Sequence, residues 1–329
     1  MTNIAGLPKP PDGEAGEASS YPIDLLNLAK IVTGTDELSP EDVELIRSIE
    51  DTNWKEKYFD MDLEESREEA ARGLALGVPL FHPFANFYAL TFHPHKEVMR
   101  SVNASKGRGL EQVASIVTTK ENVDALFDWS KLPKRLDEKK VRDTIDQFFS
   151  LGPFGFRGPA TEEIIENYPH LTSDVNGIST VQLIAPGYQC ESNMVIDRAL
   201  EISGKPFMAI TSANLSKKLR GGVAQPAHYK MSGIQEDFGN NDPGAIILGH
   251  AARAERNRRK RYPHHEPMST SIISFHSPNE GGAHYWLERH GSLHADKVSG
   301  ELEKLGLQCG FDPNINEMRL PRAKYPFFS

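Results

Sequence analysis

Cysteine is nearly absent from this chain, whose 329 residues include only Cys190 and Cys309. The two lie far apart without the spacing of metal ligands, so the sequence predicts neither a disulfide framework nor a thiolate zinc site. Long apolar runs are missing too, since none approaches the ~20 residues that span a bilayer. The first residues lack the basic-then-apolar order of a signal peptide, so we expect a cytoplasmic protein with no membrane partner.

The chain also lacks an excess of positive charge. Its 46 acidic residues outnumber 37 lysines and arginines, which gives a formal net charge of −9. Bulk charge therefore does not favour nucleic-acid binding, and any polyanion must meet a local basic patch. Hydrophobic residues make up 38% of the chain and charged residues 25%. These proportions are typical of a globular protein with a substantial core.

Composition divides the chain into four regions. Residues 1–20 are rich in Gly, Pro, Glu and Ser, which predicts a disordered tail. Residues 21–60 have apolar clusters and a Pro at a helix start, which predicts a helical N-terminal extension. Strand-like and helix-like stretches alternate over residues 61–310, which predicts one α/β domain. Residues 311–329 end in aromatic side chains and are expected to pack on the core.

Two stretches of this domain carry further structural predictions. Residues 78–90 are apolar and predict a strand that Pro83 interrupts. Residues 121–149 are charged with helical apolar spacing and predict two helices that separate near Trp129 and Leu132.

The clearest functional pattern lies in residues 206–222. The apolar residues 206–210 predict a short buried strand, and hydroxyl and amide side chains follow at once. Thr211, Ser212 and Asn214 would then lie at the carboxyl end of a strand, where open α/β sheets bind ligands. A strand that leaves the core through a polar turn would give the same pattern.

Two groups of cations point to a polyanionic ligand. Lys106 and Arg108 flank a glycine and would suit phosphate oxygens, Arg as a fork and Lys as a point charge. A denser basic cluster would attract RNA or polyphosphate, and it consists of Arg256, Arg258, Arg259, Lys260 and Arg261. The alternative for both groups is solvated surface, which is where such charges commonly lie.

Four motifs in a fixed order resemble the YrdC family, the threonylcarbamoyl-adenylate synthases. They are KGR at 106–108, TSANLS at 211–216, STSII at 269–273 and LERHG at 287–291. The resemblance covers about residues 63–305. It implies an α/β fold with a twisted open mixed sheet, helices packed around it, and a wide basic cavity that holds ATP, Mg²⁺ and an amino acid.

Carried over by position, the resemblance implies a nucleotide site. Lys106 and Arg108 would neutralise the phosphates, while Ser212 and Asn214 would bond the phosphate and sugar region. These four are the residues expected to be catalytic. Further nucleotide contacts are expected from Thr211, Thr270, Ser271 and Arg289. No motif for a protein-bound metal is present.

The acceptor pocket departs from the family pattern. Where the family has PTDTVYGL, residues 83–90 read PFANFYAL. The pocket is expected to contain Phe84, Asn86, Tyr88 and Ile184, the last in place of a family arginine. A buried polar group of the ligand that loses its partner costs ~1–3 kcal/mol, which is enough to change substrate preference.

The resemblance thus implies a nucleotidyltransferase that makes a carbamoyl-adenylate. Its substrates would be ATP, bicarbonate and an amino acid or amine, and pyrophosphate would be released. The product would feed threonylcarbamoyladenosine modification of tRNA. The alternative is a non-catalytic or substrate-diverged member that binds a nucleotide or RNA.

Overall fold

A computed structural model of the chain describes residues 24–53, 58–85, 87–216, 228, 230–238, 244–250, 262–266, 268–276 and 282–311. The predictions for the tail 1–20, for Asn86 and for nearly all of 311–329 concern residues outside these ranges. The same holds for the basic cluster of Arg256, Arg258, Arg259, Lys260 and Arg261.

The described ranges contain nine α-helices. They are α1 Leu25–Thr33, α2 Pro40–Asp51, α3 Glu64–Ala75, α4 Lys96–Ser105, α5 Glu138–Leu151, α6 Glu162–Asn167, α7 Asn193–Ser203, α8 Met231–Phe238 and α9 Ala295–Lys304. None of these helices combines the length and apolar character that a membrane crossing requires.

Twelve strands in the same ranges form one mixed sheet. They are β1 Tyr58–Asp60, β2 Leu80–Phe84, β3 Phe87–Phe92, β4 Ser115–Val117, β5 Phe154–Pro159, β6 Ser173–Val175, β7 Ile178–Ala185, β8 Met208–Ser212, β9 Ile246–Gly249, β10 Ile272–Ser274, β11 Tyr285–Arg289 and β12 Cys309–Phe311. Their order is β1-β9-β2-β3-β8-β4-β7-β5-β10-β11-β12, with β6 paired to β7. The predicted α/β fold with an open mixed sheet is confirmed.

The strand predicted at 206–210 is β8, and it lies in the middle of this sheet. It pairs antiparallel with β3 on one side and with β4 on the other. Its first three residues, Met208 to Ile210, are buried. The polar residues Thr211 and Ser212 end the strand, so the change from apolar to polar side chains marks its exit from the core.

The N-terminal segment begins with two helices, where the sequence predicts a helical extension. Ser39 caps α2 by accepting a hydrogen bond from the Asp42 backbone N–H at 3.1 Å, and Pro40 takes the first helical position. Buried side chains of α1 and α2, among them Leu25 and Ile46, belong to the main hydrophobic core. The prediction was wrong at its end, because β1 is a strand that pairs parallel with β9.

Residues 80–92 form a hairpin whose turn is not at Pro83. Pro83 lies inside β2, opposite Tyr88, beyond the two residues of β2 that pair with β9. Because no second neighbour needs its missing N–H there, the proline is tolerated in the strand. The chain reverses after Ala85, whose φ of 54° is in the left-handed region that costs an alanine roughly 1 kcal/mol.

The region 121–149 contains one helix where two are predicted. Residues 123–125 and 129–131 form only 3₁₀ turns, and α5 begins after Asp137, which caps it at 2.8 Å. The guanidinium of Arg142 lies 4.7 Å from the centre of the Trp129 ring. Trp129 therefore packs on α5 from a turn, at the position where a break was predicted, but the residues before it form no α-helix.

Three buried histidines make the fold sensitive to acid. Burial lowers the pKa of His82 to about 4, of His265 to about 4 and of His93 to about 3. Each is therefore neutral in the folded protein at a pH where the unfolded chain binds a proton.

We expect the free energy of unfolding to fall as the pH drops from about 6.5 to 4, by about 3 kcal/mol from His82 alone. Urea unfolding at a series of pH values measures this slope. His82→Gln should flatten it, since glutamine does not titrate and can still bond Thr91, which lies 2.7 Å from His82 Nε2. His294→Asn, at a side chain 40% exposed, is the control. An unchanged slope in the His82 variant would contradict the assignment.

Candidate functional site

Some of the predicted site residues, among them Arg108, Thr211 and Arg289, line one cavity. The cavity has a volume of about 190 Å³. Its described lining is Phe87, Ala89, Arg108, Gln112, Val113, Ala114, Ser115, Gln182, Ile184, Ile210, Thr211, Ser212, Ser269, Thr270 and Arg289. Small-molecule sites commonly measure ~300–1,000 Å³, so this cavity is smaller than a typical small-molecule site. No acidic side chain is among the lining residues that the structure describes.

The sheet curls to close this cavity. In strand order β11 stands five places from β8, yet Arg289 of β11 and Thr211 of β8 line the same space. The two motifs lie far apart in sequence, and the twist of the open sheet brings them together.

The turn after α4 presents Lys106 and Arg108 to the end of β8. Lys106 caps α4, and Gly107 follows with a φ of 64°, a conformation that glycine adopts without strain. The turn directs both cations to Thr211 Oγ1, with Lys106 Nζ at 3.2 Å and Arg108 Nη1 at 2.7 Å. The Lys106 ammonium also donates to the carbonyl of Ser212. Arg108 lines the cavity, whereas Lys106 lies behind its wall, fully buried.

The loop after β8 is fastened to the same turn. The backbone N–H of Ser216 donates to the Lys106 carbonyl at 2.9 Å, and its hydroxyl donates to the Gly107 carbonyl at 2.7 Å. The Ser212 hydroxyl donates to the amide oxygen of Asn214. Ser212 lines the cavity, and Asn214 does not. Asn214 therefore orients Ser212 in this structure.

A β-bulge in β11 aims Arg289. Ile272 pairs with Arg289 and Ile273 with Leu287, so Glu288 is the extra residue. A bulge disturbs the alternation of side chains and re-aims them. Glu288 pairs with Arg157 at 2.8 Å, while Arg289 Nη2 donates to Thr270 Oγ1 at 2.8 Å.

Thr270 and Ser271 differ in their surroundings. Thr270 lines the cavity and is held by Arg289. The Ser271 hydroxyl instead donates to the Leu293 carbonyl at 2.6 Å and accepts from the Gly291 N–H at 3.0 Å. It does not line the cavity, because these bonds hold it to the turn after β11. The structure therefore does not bring Ser271 to the predicted site.

Positive charge in the site has no carboxylate partner among the described residues. Burial, and then the neighbouring Arg108, lower the pKa of Lys106 well below its ordinary value. Burial also lowers the pKa of Arg108. Burial together with Arg157 lowers the pKa of Arg289 to about 10, and the nearby Glu288 opposes part of this shift. Lys106 and Arg108 lose hydration without an ion-pair partner among the described residues, and such cations are the groups that an anionic ligand would stabilise.

The acceptor side differs from the prediction. Ile184 lines the cavity, but Phe84 and Tyr88 do not. Phe84 packs on Phe87, with ring centres 5.4 Å apart. Side chains alternate along β3, so Phe87 and Ala89 face the cavity and Tyr88 faces the other side, where its hydroxyl lies near Gly249.

Several residues that line the cavity were not predicted from the sequence. The amides of Gln112 and Gln182 and the hydroxyls of Ser115 and Ser269 also face the cavity. Ser115 precedes two apolar residues in β4, and Gln182 stands between Val181 and Leu183 in β7, so each is a polar side chain next to buried apolar ones, a signal that could have found them.

The residues present fit the phosphates of a nucleotide better than a resident metal. The cations and hydroxyls are donors, which phosphate oxygens require. No group of three or more His, Cys, Asp or Glu side chains within the described residues could hold a metal ion. Mg²⁺ usually binds one or two carboxylates together with substrate phosphates, and the described lining supplies none.

Three solved structures resemble this one in fold. Two are of P. abyssi Sua5, and each is 17% identical to this chain with a TM-score of 0.53. The match to a doubly substituted form covers 78% of this chain and 65% of that one. The match to a complex with L-threonine covers 77% of this chain and 62% of that one. The third is the hypothetical protein smu.1377c from Streptococcus mutans UA159, 15% identical with a TM-score of 0.54, with 77% matched to 96%.

These comparisons establish a shared fold. The chain has the fold of the Sua5 and YrdC proteins with a diverged sequence, which confirms the resemblance at the level of the fold. It spans just under two thirds of the length of Sua5. No protein-family model matches the chain, and no curated protein matches it.

The depressed pKa of Lys106 predicts pH-dependent anion binding. A bound anion favours the charged form, so affinity should fall as the pH rises through the pKa of the free protein, by up to tenfold per pH unit. Sulfate is a suitable probe because its charge stays constant above neutral pH, and calorimetry measures its affinity. Lys106→Arg should remove the dependence, since arginine stays charged. Equal pH profiles for the two proteins would contradict the role of Lys106.

Proposed function

We propose that this protein forms a carbamoyl-adenylate from ATP, bicarbonate and an amino acid or amine, with release of pyrophosphate. The observation that supports this best is that Arg108 and Arg289 line one cavity, with Lys106 directly behind its wall and no carboxylate in the described lining. The fold shared with Sua5 favours the same chemistry. We propose the tRNA threonylcarbamoyladenosine pathway as the use of the product when the acceptor is threonine.

The reaction needs positioned charge and no covalent nucleophile. The amine and bicarbonate condense to a carbamate with loss of water. A carbamate oxygen then bonds to the α-phosphorus of ATP, and the bond from that phosphorus to the bridging oxygen breaks, so pyrophosphate leaves with the electron pair. Catalysis of such a transfer rests on alignment and on stabilising negative charge.

The described residues take distinct parts in this proposal. Arg108 and Arg289 bind phosphate oxygens directly, because both line the cavity. Lys106 acts from behind the wall, where it polarises Thr211 and adds positive potential. Ser212, oriented by Asn214, bonds the phosphate or sugar region. Mg²⁺ would enter with ATP and be held by its phosphates.

The acceptor side supports a substrate other than threonine. Phe87, Ala89 and Ile184 give this part of the cavity an apolar wall. The threonine hydroxyl would lose its hydrogen bonds to water there and find few hydrogen-bond partners in exchange, which would lower the affinity for threonine.

The same apolar wall supports a second candidate function. A member that has lost its acceptor site would still bind a nucleotide or RNA through its cations. That candidate predicts ATP binding without release of pyrophosphate for any amine tested, so one assay separates the two.

Arg108→Ala should weaken ATP binding at least tenfold, on the order of 1.4 kcal/mol, because it removes a direct phosphate contact. Calorimetry with ATP and Mg²⁺ measures the affinity, and a coupled assay follows pyrophosphate release. Arg47→Ala, at an exposed arginine of α2, is the matched control. An Arg108 variant that binds ATP like the control would refute the phosphate role.

Threonine should be a poor acceptor beside amines that carry apolar groups. A screen of amino acids and amines for bicarbonate-dependent pyrophosphate release tests this. The double variant Phe87→Val/Ala89→Gly brings back the family residues at both positions and should raise kcat/KM for threonine about tenfold, an effect of the size that pocket changes give. Phe311→Val, at a side chain 40% exposed on β12, is the control. Rapid turnover of threonine by the wild type would overturn this expectation.

A further inference from the structure

A chain of four polar side chains leads to the cavity along the face of the sheet on which Gln182 and its direct cross-strand partner Arg157 lie. Arg157 Nε donates to Glu288 Oε2 at 2.8 Å, and Arg157 Nη2 donates to Gln182 Oε1 at 2.7 Å. Gln182 Nε2 donates to Ser115 Oγ at 2.6 Å. Gln182 and Ser115 line the cavity, and the ion pair of Arg157 with Glu288 is mostly shielded from solvent. The proposed function gives none of these four a role.

The ion pair fixes the direction of every bond in the chain. A guanidinium only donates, so the Gln182 oxygen must face Arg157 and its NH₂ group must face Ser115. Ser115 Oγ accepts from that NH₂ group, so its own proton is free to point elsewhere. No described acceptor takes this proton, and Ser115 lines the cavity. The Ser115 hydroxyl is therefore a donor toward the ligand.

Two other hydroxyls of the cavity are polarised in the same way. Thr211 Oγ1 accepts from Lys106 and Arg108, and Thr270 Oγ1 accepts from Arg289. With no acidic residue in the described lining, the cavity presents donors to its ligand. An ammonium group needs acceptors and would find few here.

The part of the cavity wall that Ser115 and Gln182 form is neutral, whereas the parts that Arg108 and Arg289 form are positively charged. Neither Arg108 nor Arg289 bonds Ser115 or Gln182. Two neutral donors side by side, with Ile184 and Phe87 also on the wall, suit a small planar oxyanion more than a phosphate dianion.

We propose that Ser115 and Gln182 form a subsite for a carboxylate or carbonate oxygen of the substrate, and that Arg157, held by Glu288, is the positioning residue that turns the Gln182 amide toward it. The inference deepens the proposed function and rests on it for the reaction. The amine of the substrate would enter neutral or lie outside this subsite.

The test exchanges the positions of Arg157 and Glu288. In Arg157→Glu/Glu288→Arg the ion pair and the net charge remain, but residue 157 becomes an acceptor and turns the Gln182 amide around. Its oxygen then faces Ser115, whose proton is drawn away from the cavity. The exposed pair Lys139 and Asp143, 2.6 Å apart on α5, allows the matched control swap Lys139→Asp/Asp143→Lys.

The probes are ¹³C-bicarbonate, ¹³C-acetate and methylammonium, with sulfate present to occupy the arginines. Carbon-13 relaxation of the full-length protein with each probe gives its affinity, and ATP is not needed. We expect the wild type and the control swap to bind acetate or bicarbonate and not methylammonium. The Arg157/Glu288 swap should weaken anion binding at least tenfold, and Arg157→Lys, which keeps a donor, should retain it within about threefold.

If the Arg157/Glu288 swap weakens the binding of acetate alone, the occupant of the subsite is an amino-acid carboxylate. If it weakens the binding of bicarbonate alone, the occupant is the carbonate. Ser115→Ala and Gln182→Met should each weaken the same probe, and they decide the question if the swap does not fold. Wild-type affinity for both anions in these variants would overturn the proposal, as would preferential binding of methylammonium. Failure of pyrophosphate release with intact anion binding would count against the proposed function alone.

Discussion

Burial of positive charge without an ion-pair partner among the described residues is the constraint on which this site depends. Removing a cation from water costs several kcal/mol unless partners compensate, and among the described residues the Lys106 ammonium bonds one hydroxyl and one carbonyl. The rest of the fold must supply that stability. The core around β8 contributes to it, since Met208, Ala209 and Ile210 are buried and β8 is paired on both sides.

The sheet brings together residues that lie far apart in the sequence. Arg108 follows a helix, Thr211 ends a central strand and Arg289 lies in a bulge five strands away. Twist brings these positions together. The bulge disturbs the regular alternation of side chains along β11, and in this arrangement Glu288 pairs with Arg157 while Arg289 bonds Thr270.

Local signals made part of the structure predictable. The helix start at Pro40 and the change from Ile210 to Thr211 depend on neighbouring residues, so sequence patterns are sufficient for them. Phe84 and Tyr88 were expected in the acceptor pocket from the family segment, but the cavity is lined by Phe87 and Ala89, because side chains alternate along β3 and which face meets the cavity depends on the whole sheet. The partnership of Gln182 with Arg157 depends on the register of β7 against β5, which no local pattern encodes.

The two hydrogen bonds of Ser216 have a mechanical consequence. They join the loop after β8 to the turn after α4, segments separated by more than a hundred residues of chain. A shift of either segment would therefore displace the other or break these two hydrogen bonds. A ligand that binds Arg108 would therefore also restrain residues 213–216, through bonds that no atom of the ligand makes.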